Sequence, residues 1–393
     1  MPDVRGNGRK EKLLVLAILG WLMIVSPRSA GAQDWVWTRE VVDTFGVASS
    51  LSVDDTGSIH ISYGGDVGLK YGYRPAGTKS RWFTLGLGGG VNYTNLKIDR
   101  QGNPHLCATY LSLPLRYAHY NGKIWDIQQI APEDNMSVQA QCSVAIAPDG
   151  TPHLSWYRLD PEYKHLRYAA LKDGAWQTRT VDFDEQTGKW NSMIIGPDGN
   201  PDITYDAFIK GLLKFAHWNG KEWNIKVVDQ RGAHGQDYSL GMGSCLFFDS
   251  HNIAHISYYT DSELRYASQD GQTWKIETVD GIRPTGSWVD YRSSLMFDKD
   301  GAPHISYEDF GVLKHAYKYG DHWRVQVIAP SGAVRSRYSS MAVDAKANII
   351  YIAYKDPVDG SLKVAVGNKV ESSPSAVGEK KIIKNETVMD HRY

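Results

Sequence analysis

The sequence predicts an all-β chain: a seven-bladed β-propeller of four-stranded blades, closed by an N-terminal strand that completes the last blade. Three observations predict it. Tryptophans 37, 82, 125, 176, 223, 274 and 323 recur at intervals of 43 to 51 residues, the period of propeller blades. Each interval holds four short runs that alternate polar and apolar residues, the period of a strand. The last interval lacks its tryptophan run, and an unmatched one precedes the first.

The unit reads most clearly at residues 293–328. SSLMFD (293–298) is a first strand, and a Lys-Asp-Gly turn follows it. PHISY (303–307) is the second strand, LKHAY (313–317) the third, and WRVQVI (323–328) the fourth, after a turn at Gly320. The same order runs from Ser244 through HISY (255–258), LRYA (264–267) and Gly271 to Trp274. It runs again from Ser143 through HLSW (153–156) and LRYA (166–169) to Trp176. Asp, Gly, Asn and Pro punctuate the runs, as hairpin turns require. First strands are expected near residues 49, 93, 141, 190, 244, 293 and 339. Residues 37–43 (WTREVVD) match 223–229 (WNIKVVD). Set beside 362–366, they complete the last blade and remove two exposed strand edges.

The array has flanks. Residues 1–32 carry a basic start, an apolar run at 13–25 (LLVLAILGWLMIV) and Ala30-Gly31-Ala32. That is the layout of a secretory signal peptide, with a retained anchor as the alternative. The run is short for a membrane span, so no span is expected after cleavage. Residues 33–368 form the propeller. Residues 369–393 are polar and aperiodic and are expected to be a disordered tail. A secreted or periplasmic location follows.

The chain has 43 Lys+Arg against 44 Asp+Glu. Without residues 1–32 the balance is 38 against 42, which gives no electrostatic reason to expect nucleic-acid binding. Three cysteines cannot be a disulfide framework for 393 residues. Cys107, in a second strand, and Cys142, in the next first strand, are open to pairing after export. None of the three has the neighbours of a nucleophile.

Residues 268–274 (SQDGQTW) sit at a turn between third and fourth strands. They resemble the Asp-box, Ser-x-Asp-x-Gly-x-Thr-Trp, of the sialidase and BNR-repeat propellers, with one residue fewer. Other blades carry only Asn-Gly or Asp-Gly before the tryptophan. The resemblance covers the whole array as architecture and transfers no catalytic residue. Members of that group include glycoside hydrolases, polysaccharide lyases and lectin-like binders, so fold alone does not set function.

Histidines 60, 105, 153, 255 and 304 recur at one repeat position, with Asp202 and Tyr351 in the other two blades. Residues spread around a ring cannot converge on one ion, so bracing of each hairpin is expected and no metal or cofactor. Positions that break the repeat are better candidates. The loops leading into the first strands carry Tyr93, Gln141, Trp190, Tyr238, Tyr291 and Tyr338. Of these, Tyr93, Trp190, Tyr291 and Tyr338 are the expected ligand-binding residues, since rings at a channel mouth suit stacking on sugars. Blades 5 to 7 concentrate His234, Tyr238, Arg292, Glu308, Asp309, Arg337 and Tyr338 on one sector. Arg pairs bidentately with carboxylates such as those of uronic or sialic acids, and Tyr, His or carboxylates serve as acid or base. The expected function is a binding module for an extracellular or cell-surface glycan or protein, most readily a carbohydrate. The alternative is a polysaccharide lyase or glycoside hydrolase using that sector.

Overall fold

The computed structural model describes residues 35–370, apart from positions 80, 111–112, 132–140, 160–163, 185, 231–239, 284–291 and 331–337. Residues 1–34 and 371–393, which include the expected signal peptide and nearly all of the tail, lie outside the described residues. The described strands form seven antiparallel sheets of four. Blades 1 to 6 cover residues 47–88, 93–130, 142–182, 192–230, 242–281 and 294–329, each paired in chain order. Blade 7 covers 339–369 and takes its outermost strand from the N-terminus. Trp35–Asp43 pairs antiparallel with Leu362–Lys369, with Thr38 opposite Val366 and Val41 opposite Lys363. The first strands line the axis. Strand alternation puts the loops before first strands and those between second and third strands at one end, called the top here.

A hydrogen-bonded ring runs around the axis. One small polar side chain of each first strand accepts the backbone N–H of the next blade's first strand. Ser50 Oγ accepts Leu96 N at 3.0 Å, Asn95 Oδ1 accepts Val144 N at 2.9 Å, and Ser143 Oγ accepts Met193 N at 3.0 Å. Ser192, Ser294 and Ser340 do the same for Leu246, Met341 and Leu51. Blade 5 breaks the pattern: Cys245 fills the slot, and its thiol lies 3.9 Å from the Leu295 carbonyl.

The recurring histidines brace their hairpins, as the repeat predicts. His60 Nδ1 lies 2.6 Å from the Tyr71 hydroxyl, and Nε2 lies 3.1 Å from Asp54 in the turn below. Burial pushes these imidazoles below the ordinary histidine pKa. The neutral form therefore prevails, with Nε2–H donating to the carboxylate and Nδ1 accepting from the tyrosine. The tyrosine then meets the next blade's tryptophan edge-on: Tyr71–Trp125, Tyr117–Trp176, Tyr168–Trp223 and Tyr266–Trp323 at 5.0 to 5.3 Å between ring centres.

A second device ties neighbouring blades at the top. A carboxylate ending a fourth strand is caught by a tyrosine and a cation of the following blade. Asp182 accepts Tyr205 and Lys214, both at 2.8 Å. Asp43, Asp229 and Asp280 bind Tyr63 and Lys70, Tyr258 and Arg265, and Tyr307 and Lys314 in the same way. Between blades 2 and 3 the carboxylate position is Ala131. There Cys107 and Cys142 form a disulfide, with 6.3 Å between their Cα atoms. The same position is Gly88 at the end of blade 1 and Ala329 at the end of blade 6, so three interfaces lack the ionic link and this one carries a covalent link instead.

Candidate functional site

Four loop residues meet across the axis at the top. Arg292 donates through Nε and Nη2 to Gln141 Oε1 at 3.1 and 2.9 Å, and its guanidinium lies 5.7 Å from the centre of the Tyr93 ring. The Tyr338 hydroxyl donates to the Tyr93 hydroxyl at 3.0 Å, and the two rings are edge-on. These residues belong to blades 2, 3, 6 and 7, so the contacts bridge the channel. The expected open platform is therefore absent among the described residues. Tyr93 is 2% exposed because Tyr338 and Arg292 cover it, and Trp190 is 5% exposed because it packs with Phe208 and Tyr259 under the rim.

The carboxylates of blade 6 do not act as a pair. Adjacent strand residues point to opposite faces, so Glu308 and Asp309 diverge. Glu308 is 1% exposed. Burial of Asp309 is outweighed by hydrogen bonds from Lys314 at 2.9 Å and the Arg283 N–H at 3.0 Å, which hold its pKa below the usual range. It is thus engaged and ionised rather than poised as an acid. His234, Tyr238, Tyr291 and Arg337 lie outside the described residues.

A site that the sequence reading missed opens between blades 1 and 2. The crevice holds about 340 Å³ and is lined by Tyr71, Tyr73, Phe83, Leu85, Tyr120 and Trp125, with Asp54, His60, Thr84 and Asn103 supplying polar groups. Blade 1 makes it apolar. The first and third residues after the blade tryptophan point toward the next blade. In the other six blades they are polar (Asp126 and Gln128, Asn224 and Lys226, for example), whereas blade 1 has Phe83 and Leu85. Each of these two is 49% exposed. That double exception was legible in the sequence, but the aromatic repeat masked it.

The equivalent crevice between blades 4 and 5 is polar. It holds about 400 Å³ and includes Asp198, Asp202, His217, Asn224, Lys226 and Gln269. Here the repeat is inverted, with Asp202 in the histidine slot and His217 opposite it. Burial lifts the Asp202 pKa to about 6 against the pull of His217, whose Nδ1 is 2.9 Å away. Donor atoms of Asp198, Asp202 and His217 lie within 4.8 Å of one another. His217 bridges the two carboxylates, with Nε2 3.5 Å from Asp198 and Nδ1 2.9 Å from Asp202.

No known protein family and no curated protein sequence matches this chain. Solved structures do. AofleA from Arthrobotrys oligospora aligns with a TM-score of 0.51 at 11% identity, over 75% of this chain and 90% of that one. The polysaccharide lyase Uly1 aligns at 0.52 and 10%, over 82% and 89%. The fucose-recognising lectin of Aleuria aurantia, a six-bladed propeller, aligns at 0.50 and 14%, over 74% and 99%. At such identities the likeness establishes the propeller fold alone, and the last two are a lyase and a lectin rather than sialidases.

Proposed function

We propose that the chain is an exported carbohydrate-binding propeller that holds a neutral saccharide unit in the crevice between blades 1 and 2. The paired exception Phe83 and Leu85 carries the reading: it converts one inter-blade crevice into an aromatic slot. Rings offer faces for the C–H surface of a sugar, and flanking polar groups read its hydroxyls. Among the described residues no lysine or arginine lines the crevice, which favours an uncharged ligand. The lectin and lyase among the similar structures agree with a carbohydrate ligand, and the apolar run at residues 13–25 supports export. A glycan array with the intact protein tests the reading. Wild type binds a defined set of neutral glycans, and Phe83→Ser/Leu85→Ser loses at least about tenfold in affinity while keeping its melting temperature. Equal binding by both proteins discards the crevice.

The enzymatic alternative rests on Arg292 meeting Tyr93 and Tyr338 at the channel mouth. A reducing-end assay on anionic polysaccharides decides it. Turnover by wild type that Tyr338→Phe abolishes supports it, and no turnover by wild type removes it.

A further inference from the structure

The inverted repeat of blade 4 gathers metal-ligating groups in a way the other blades do not. In blades 1, 2, 5 and 6 an aspartate stands six residues before the recurring histidine: Asp54, Asp99, Asp249 and Asp298. In blades 1, 2, 3 and 5 a tyrosine hydroxyl meets the histidine Nδ1. Blade 4 replaces all three residues. Gly196 takes the aspartate position, Asp202 the histidine position and Phe215 the tyrosine position. A Cβ on residue 196 would stand 2.2 Å from Asp202 Oδ2, so the glycine makes room for that carboxylate. Two further ligand groups join it: Asp198 in the turn before Pro201–Ala207, and His217 in Leu212–Trp218. Among the described residues no other three His, Cys, Asp or Glu side chains bring ligand atoms within 4.8 Å of one another.

The distances suit an ion better than a hydrogen-bonded cluster. His217 Nδ1 lies 2.9 Å from Asp202 Oδ1, a hydrogen bond that fixes the ring. Its Nε2 lies 3.5 Å from Asp198 Oδ2, beyond the ordinary N–H···O range. Two ligands held at about 2.1 Å by a tetrahedral zinc-class ion stand about 3.4 Å apart. Asp198 is itself oriented by Asn200, whose Nδ2 donates to Oδ2 at 2.8 Å. Metal-bound histidines and carboxylates are held by outer partners of this kind. A separate observation comes from Asp202. Its side chain is 2% exposed, yet among the described residues no hydrogen bond reaches Oδ2, since Phe215 lacks the hydroxyl that other blades supply. A buried carboxylate oxygen without a donor favours a positive neighbour. Asp198, Asp202 and His217 all line the crevice between blades 4 and 5, which gives an ion its way in.

We propose that blade 4 carries a binding site for a divalent transition-metal ion of the zinc class, with His217 Nε2 and Asp198 as its protein ligands and Asp202 as the residue that positions His217. Imidazole and carboxylate are ligand types such an ion takes. Asp202 accepts the Nδ1 proton, which leaves the Nε2 lone pair for the ion. The ion's charge also offsets the buried Asp202 carboxylate. The remaining coordination positions are open to water or to a ligand in the crevice. The recurring histidines cannot do this: in His60 and His105 one nitrogen meets a tyrosine and the other an aspartate. The site is separate from the crevice between blades 1 and 2, whose lining shares no residue with it.

The test is calorimetric titration of the chelator-stripped full chain with zinc chloride, above the Asp202 pKa of about 6. Wild type is expected to show saturable binding that His217→Gln and Asp198→Asn each weaken by at least about tenfold. Asp202→Asn still accepts the Nδ1 proton but carries no charge. It should weaken zinc by about tenfold or more while the metal-free protein keeps its melting temperature, which a merely structural role would not produce. With cobalt(II) as the probe, wild type should give the intense visible bands of a four-coordinate ion, and His217→Gln should lose them. Asp198 lies in an exposed turn, so Asp198→Asn keeps the test decisive if His217→Gln fails to fold. Absence of saturable zinc binding by wild type overturns the proposal. So does binding that Asp198→Asn or a folded His217→Gln leaves unchanged, which assigns the ion to other groups such as the exposed His251. Phe83→Ser/Leu85→Ser should bind zinc as wild type does, so failure of the saccharide crevice and failure of the metal site give different results.

Discussion

At His153 burial outweighs the pull of a nearby carboxylate. Its pKa is driven down to about 4, against 6.5 for an exposed histidine. A folded-state pKa below the unfolded value means that the unfolded chain binds the proton more tightly. The contribution is complete above pH 6.5 and is lost as the pH falls through the window toward 4. The shift corresponds to about 3 kcal/mol at most. Urea unfolding between pH 7 and 4.5 should show falling stability, and His153→Asn should flatten that slope; an unchanged slope contradicts the assignment. The brace role was legible because a recurring residue cannot serve a single site. The fate of Tyr93 was not. Its position at the channel mouth follows from the repeat, but the residue covering it, Tyr338, lies 245 positions away, and nothing local to either announces the other.

Two kinds of link join neighbouring blades: a carboxylate caught by a tyrosine and a cation at four interfaces, and a disulfide at one. Asp182 and Lys214 are both buried, so Asp182→Ala leaves an ammonium with a depleted set of partners and should cost about 3–5 kcal/mol in urea unfolding. The disulfide between blades 2 and 3 should contribute about 2–4 kcal/mol. Cys107→Ser and reduction of the wild type should lower the unfolding midpoint equally. No change on reduction shows that the blades do not need the link. Each Val-Asp ending was visible in the sequence as part of the repeat. Its partners were not, because Tyr205 and Lys214 belong to the following blade, and register across blades is a property of the closed ring. The same holds for Cys107 and Cys142: adjacency of their strands was readable, while the approach of their Cα atoms depends on how two inner strands stack.

The whole molecule depends on closure. Residues 35–369 form one ring of seven units, and the strand Trp35–Asp43 joins its ends. Trp35 is buried against Tyr317, Ile350 and Tyr354, so Trp35→Ala should cost about 3–5 kcal/mol. Deletion of residues 33–43 should expose the edge of Leu362–Lys369 and give aggregation in size-exclusion chromatography; a monomeric, fully stable deletion variant contradicts closure by this strand. Blade count and closure were readable because each blade repeats the same physical demands. Function was less so, because it resides where blades differ, and two hydrophobic residues in blade 1 are a small signal against 45 aromatic side chains. The most direct test of the account is a crystal structure of the intact protein with the neutral glycan that binds it best on the array. The account predicts sugar density between blades 1 and 2, against Phe83, Tyr120 and Trp125. Density confined to any other blade interface or to the channel mouth would contradict it.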